Sequence, residues 1–242
     1  MLVRKELKPV FIEVQLESDM NRSLLLAELH PDRPETSWKR GGAVATAHFE
    51  SLNTADTRRT QLRACNGELG ASSPYSNAVL VGDFNFDDTQ QWGDWRRAYT
   101  SSTETAATVI PRKRPSNELE NCVLRQVLPD FEDQWPLLRP GERGATFDGP
   151  SNPVCVRDPL EVMRYDRVLL RGPTLPSFFG RVLESGRRLL GGEPSPGLGG
   201  ARPPAWEGAR IELVGVGAIN TDGLKPSDHY GLEFALGPRP AQ

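Results

Sequence analysis

Val79-Leu80-Val81-Gly82-Asp83-Phe84-Asn85-Phe86-Asp87 is the stretch on which the fold turns. With Ala78 it opens as a short, uninterrupted apolar run, the pattern of a strand covered on both faces, and Gly82 lets the backbone turn directly after it. Asp83 and Asn85 follow at the strand's mouth. Two residues apart on extended chain, a carboxylate and a carboxamide point the same way and can face one phosphate or metal-bound water. Gly-Asp-x-Asn is also an ordinary turn sequence, so the surrounding chain has to separate the two readings.

Upstream, residues 10 to 17 alternate cleanly, with Val10, Ile12, Val14 and Leu16 on one face, which predicts a half-buried strand. Ser18, Asp19 and Asn21 make a turn, and Ser23 to Leu29 reads as the antiparallel neighbour, with a helix as the alternative. His30 to Gly42 is a loop rich in Pro, Gly and charge, with His30 solvated. Val44 to Phe49 is a third strand, ending in His48, Glu50 and Ser51. Asn53 or Thr54 would then cap a helix to about Leu69, burying Ala55, Leu62 and Cys65 while Arg58 and Arg59 face out. Strand, helix, strand is therefore the order into Gly82, the signature of a layered α/β arrangement with polar groups at carboxyl ends of strands.

Downstream the pattern weakens from Thr89 to Pro115, with Trp92 and Trp95 on a short helix at most. Glu118 to Leu128 offers a helical stripe of Leu119, Cys122, Val123 and Val127. Phe131 to Leu138 and the connector Ala145-Thr146-Phe147-Asp148 follow, and Tyr165 to Leu170 is a further strand with Asp166 near its start. Pro173 to Gly208 reads as an insertion holding one amphipathic helix, then a flexible tract in which nine of the 14 residues from Gly191 to Pro204 are Gly or Pro. Ile211 to Gly217 and Gly231 to Leu236 are the last strands, with Lys225-Pro226-Ser227-Asp228-His229 between them.

At 242 residues the chain suits one domain with a sizeable core. A net charge of -3 gives no basic field of the kind duplex-binding domains carry, although 24 of the 29 basic residues are Arg. Cys65, Cys122 and Cys155 are too few and too scattered for a zinc site or disulfide framework, which favours a reducing compartment. No run approaches the ~20 apolar residues of a membrane span. A nuclear or cytoplasmic protein without membrane association is the expectation, and Pro111 to Pro115 is a short basic run readable as a nuclear address or as a solvated loop.

Only three histidines occur, and His48 and His229 both fall in polar clusters beside strands, next to Glu50 and Asp228. Such groups can together assist attack of water on a phosphodiester. A carboxylate activates the water, hard oxygens hold Mg²⁺, and His and Asn stabilise the phosphoryl oxygens.

Four blocks in order, Thr46-Ala47-His48-Phe49-Glu50-Ser51, Gly82-Asp83-Phe84-Asn85, Arg164-Tyr165-Asp166-Arg167 and Ser227-Asp228-His229-Tyr230-Gly231, resemble the endonuclease/exonuclease/phosphatase superfamily. The fuller phrases, including Arg59, Gln61-Leu62, Trp135 and Thr146-Phe147-Asp148, are most similar to its tyrosyl-DNA phosphodiesterase 2 branch. The resemblance spans about residues 10 to 236 outside the Gly/Pro tract.

That resemblance implies an α+β (α/β) fold, a four-layer αββα sandwich, here truncated at its N-terminus, because the chain starts after the family's early strand-end Asn and its main Mg²⁺-binding Glu. It implies a Mg²⁺-dependent phosphodiesterase, with Mn²⁺ as a substitute, acting on DNA 5′ ends or another phosphodiester. The alternative is an inactive, truncated member serving as a binding module. By the same resemblance Asp83 activates the nucleophile, Asn85 and His48 contact the phosphate, and Asp228 sets the metal. His229 stabilises the transition state with Asp166 behind it, and Phe147, Ser227 and Arg59 face the substrate.

Overall fold

The computed structural model describes residues 1–29, 42–94, 115, 117–172, 206–221 and 223–238. The expectations for His30, for Trp95, for the basic run except Pro115, and for the amphipathic helix and Gly/Pro tract of the insertion lie outside them. Strands β1 (Val10–Gln15), β2 (Ser23–Leu29) and β3 (Gly42–His48) form an antiparallel meander. Helix α1 (Ala55–Leu69) returns the chain so that β4 (Asn77–Asp83) lies parallel to β3. Helix α2 (Cys122–Val127), β5 (Glu132–Asp133), α3 (Gln134–Leu138), β6 (Phe147–Asp148) and β7 (Val162–Met163) precede β8 (Asp166–Arg171). The last elements are β9 (Trp206–Val214) and β10 (Gly231–Pro238). One sheet carries six strands in the order β1-β2-β3-β4-β8-β5, and β9–β10 and β6–β7 form separate pairs.

The alternation of β2, β3, β4 and β8 gives this sheet two apolar faces. Leu24, Leu26, Ala43, Ala45, Ala47, Ala78, Leu80 and Leu169 share one face and pack with Leu62, Cys65 and Leu69 of α1 and Val123, Leu124 and Val127 of α2. Val79, Val168 and Leu170 share the other, joined by Ile211, Leu213, Leu232 and Phe234 of the β9–β10 hairpin and by Trp135. Helix, sheet and second sheet are thus three layers of the expected mixed sandwich. Each fully buried Leu contributes roughly 1.5–3 kcal/mol.

Several boundaries differ from the sequence expectation. Gly82 does not turn the chain; β4 continues to Asp83, with Gly82 at φ 133°. A Cβ there would lie 2.0 Å from the Ala47 carbonyl oxygen, so glycine serves the close approach of β3 to β4. Gly82→Ala should therefore destabilise the fold by at least about 1–3 kcal/mol, read as a lower urea midpoint, whereas a neutral result would refute the steric reading.

Arg58 was expected to face solvent and is buried. Its guanidinium forms a bidentate pair with Glu120 at 2.6 and 2.7 Å and donates to the carbonyls of Glu50 and Leu52. Thr54 occupies the N-cap position of α1, but its hydroxyl bonds the Ser51 carbonyl instead of capping. The stripe expected over 118–128 condenses to a six-residue helix. β9 starts at Trp206, inside the expected insertion, and stops at Val214. Strand β1 is not half-buried: Val10, Phe11 and Ile12 are all exposed, because no element covers this end of the sheet among the described residues.

Candidate active site

Pairing registers put three functional side chains in one row. His48 is opposite Asp83 on the parallel pair β3/β4, and Asp83 is opposite Asp166 on the antiparallel pair β4/β8. The His48 Nε2 lies 3.3 Å from Asp83 Oδ2. Asn85 joins them through a local turn and not along an extended chain. It sits at φ 55°, its N–H donates to Asp83 Oδ1 at 2.8 Å, and its Nδ2 donates to the Phe49 carbonyl at 3.0 Å.

The fourth member arrives from β10's leading loop. His229 forms an isolated bridge with Phe147, and the Tyr230 N–H donates to the Thr146 carbonyl at 2.7 Å. This sets His229 Nδ1 2.7 Å from Asp166 Oδ2, so Nδ1 is committed to the carboxylate and Nε2 is left for substrate. The Thr146 hydroxyl accepts from the Asp166 N–H at 3.0 Å, tying both halves of the pair to one buried threonine. Phe147 stands edge-on to the His229 ring at 5.3 Å, and Tyr165 stacks on that ring at 6.1 Å and on Phe147 edge-on at the same distance.

The charges are set unequally. Burial alone would lower the pKa of His229, but the Asp166 hydrogen bond and charge, helped by Asp83 and Asp228, raise it to about 9, so the ring is cationic at neutral pH. His48 moves the other way: burial lowers it, and Arg22 and His229 add to this against the pull of Asp83. Asp83 is held above the ordinary carboxylate range, by burial first and by the neighbouring Asp166 charge second. One cationic histidine, one neutral histidine and one basic carboxylate therefore line the row.

Asp228 is exposed, with Oδ1 accepting from the Ser227 hydroxyl at 3.2 Å. Ser227 also accepts from the His229 N–H at 3.2 Å, so its hydroxyl shapes this loop. Arg59 is not brought to the row: its guanidinium donates to Gln126 of α2 at 3.0 Å. Glu50, beside His48 in sequence, is buried. Its carboxylate would be raised by burial but is held low by hydrogen bonds from Ser18, Gln61 and the Asp19 N–H, which fasten the β1–β2 turn to the end of β3.

Sequence reasoning missed two contributors. Asn152, almost fully buried, donates to the carbonyls of Ser227 and Asp228 and holds their loop in place. Arg22 donates to Ser51 Oγ at 3.1 Å, has a buried Nε without a partner, and lies close enough to lower the pKa of His48. A lone arginine in a turn and a lone asparagine in a loop carry no periodicity or motif to announce them.

The donor set for a divalent ion is thin. Among the described residues no three His, Cys, Asp or Glu side chains group as metal ligands, and Asp83 and Asp166 are each engaged by a histidine. The exposed Asp228 carboxylate fits a Mg²⁺ or Mn²⁺ ion that keeps most of its waters and takes its remaining ligands from phosphate.

No protein-family model matches the sequence, and no curated protein matches it. Solved structures do. The chain superposes on D. rerio TDP2 complexed with a single-stranded DNA product with a TM-score of 0.58 and 17% identity, covering 95% of this chain and 68% of that one. The chain has the TDP2 fold. A humanized D. rerio TDP2 carrying 14 mutations matches with a TM-score of 0.53 at the same 17% identity and the same coverage. An endonuclease/exonuclease/phosphatase from Beutenbergia cavernae is also similar, with a TM-score of 0.47, 17% identity, and coverage of 96% of this chain and 46% of that one. The resemblance carried by the four sequence blocks thus extends to the TDP2 fold. No helix among the described residues is long and apolar enough to cross a membrane.

Proposed function

We propose that this chain is a phosphodiesterase that hydrolyses a phosphodiester at a DNA 5′ end, with a 5′-tyrosyl adduct as the substrate to try first and DNA repair as its setting. The observation that carries this reading is the row His48–Asp83–Asp166 with His229 locked to Asp166 at 2.7 Å. Asp83, held above the ordinary carboxylate range by burial and the Asp166 charge, takes the proton of the attacking water. The Nε2–H of cationic His229 donates to a non-bridging phosphoryl oxygen as its charge grows in the transition state. The free N–H of the Asn85 amide and the ring of neutral His48 orient the phosphate, and the Arg22 guanidinium adds positive charge beside His48. The Phe147 ring offers a face to a base or tyrosyl group. A Mg²⁺ ion on Asp228, when bound, would neutralise phosphate charge.

The testing experiment is release of tyrosine from a 5′-tyrosyl oligonucleotide by the folded chain with Mg²⁺, repeated with EDTA. Turnover that EDTA abolishes supports the reading. No turnover from folded protein overturns it in favour of a non-catalytic module that binds phosphate-bearing nucleic acid.

The pH profile follows from the two shifted groups. Activity needs Asp83 ionised and His229 protonated, so the alkaline limb should fall near pH 9. Asp166→Asn removes the main cause that raises His229 and should draw that limb down toward the ordinary value of 6.5, and, because the Asp166 charge also raises Asp83, the acid limb should move down as well. A limb that stays near 9 in the variant would exclude His229 as the titrating acid. The same shift makes a stability statement. A raised folded pKa contributes fully below the unfolded value, and the contribution is lost as pH rises through about 9.

A further inference from the structure

Asp166 needs support to stay where it is. It stands in register opposite Asp83 on the antiparallel pair β4/β8, and like charges placed opposite one another repel. The His229 ring holds its carboxylate at 2.7 Å, and the Thr146 hydroxyl holds its backbone, accepting from the Asp166 N–H at 3.0 Å. Thr146 is fully buried, and its β-branched side chain has few rotamers open to it, so the hydroxyl is set in advance.

The main chain around Thr146 is fixed independently of that hydroxyl. Its N–H donates to the Met163 carbonyl at 3.0 Å, and Phe147 pairs with Met163 in the β6–β7 ladder. On the other side Phe147 bridges His229, and the Tyr230 N–H donates to the Thr146 carbonyl at 2.7 Å. Thr146-Phe147 is thus a strip held between Met163 and His229. Its backbone places His229, and the Thr146 hydroxyl is what reaches Asp166. We propose that Thr146 is a positioning residue for the Asp166–His229 pair, its hydroxyl fixing Asp166 relative to the strip that carries His229. Without the hydroxyl the strip and His229 stay, while Asp166 shifts under the charge of Asp83, so the 2.7 Å bond lengthens and the ring loses its fixed orientation. The kinetic consequence rests on the hydrolytic reading above: the contact His229 makes in the transition state is misplaced, so kcat falls with KM little changed.

Proton NMR of the full chain at neutral pH tests this, beside Thr146→Val, Thr146→Ser and His229→Gln. Valine keeps the branched shape and removes the hydroxyl, and serine restores the hydroxyl. In the parent, the Nδ1 proton shared with Asp166 should give a far-downfield resonance that His229→Gln removes. The expected result is loss or a marked upfield shift of that resonance in Thr146→Val and its return in Thr146→Ser. On the 5′-tyrosyl oligonucleotide, valine should lower kcat roughly 10–100-fold with KM within about twofold of the parent, and serine should recover most of the rate. The resonance needs no turnover, so a chain that hydrolyses nothing yet shows these spectral changes fails the hydrolytic reading and supports the positioning role. An unchanged resonance in folded Thr146→Val, a serine variant that behaves as valine does, or a parent with no resonance that His229→Gln removes would each overturn the proposal. So would a valine variant unfolded by its far-ultraviolet spectrum, because the hydroxyl would then serve the fold as a whole.

Discussion

Asp83→Asn should lower kcat on a 5′-tyrosyl oligonucleotide by roughly 10²–10⁴-fold, the contribution of a positioned general base. Asparagine keeps an acceptor for the Asn85 N–H that now bonds Asp83 Oδ1 at 2.8 Å, so the turn at the strand's mouth survives. KM should change little. Removing the charge also ends the repulsion between Asp83 and Asp166, so the variant should melt no lower than the parent. His229 loses one of the charges that raise its pKa, and its alkaline limb should move slightly down. A fall in kcat of less than about tenfold, with the fold intact, would mean that another group takes the proton and that Asp83 only organises Asn85.

Asp133→Ala should be the most damaging single change to stability away from this site. Asp133 binds Arg164 through both oxygens, at 3.0 and 2.8 Å, and Arg167 through one, at 2.9 Å, with both guanidinium groups at most 1% exposed. Burial would raise its pKa, but the Arg167 and Arg164 charges and hydrogen bonds keep it well below the usual carboxylate range. Alanine leaves Arg167 with the Phe86 carbonyl and Arg164 with Asp88 alone. Removing one partner from such buried ionic networks costs about 3–5 kcal/mol, because the remaining charge is stranded. Urea unfolding should show this as a lower midpoint, with Asp133→Asn losing less because one acceptor remains. A loss below about 1 kcal/mol would mean that water reaches both arginines.

The central strand, the helix return and the paired first strands were legible because each combines a clear period with punctuation. Val79 to Val81 is apolar without interruption, and residues 55 to 69 place Leu62, Cys65 and Leu69 on one helical face. The strand-end residues were legible for a different reason: His48, Asp83, Asp166 and His229 are chemically expensive groups set beside apolar runs. What remained hidden depends on distance along the chain. Arg58 reads as a solvated helix residue until Glu120, 62 positions later, is folded against it. Arg22 gains significance only from its place beside His48, and Gly82 reads as a turn until the Ala47 carbonyl is seen to need the space. Along β1, alternation says which residues share a face and not whether anything lies against it.

The block Arg164 to Arg167 holds residues of two kinds. Arg164 and Arg167 turn inward to Asp133 and Asp88, whereas Asp166 turns to His229. These roles would part company during evolutionary drift. A lineage that gave up catalysis would still be selected for the arginines, since folding depends on them, while Asp166 and His229 would be free to change. Persistence of the two arginines in a descendant would testify only to a folded domain. Retention of Asp166 opposite Asp83, a pairing of like charges that burdens the native state, would mark a lineage in which the chemistry is still being selected.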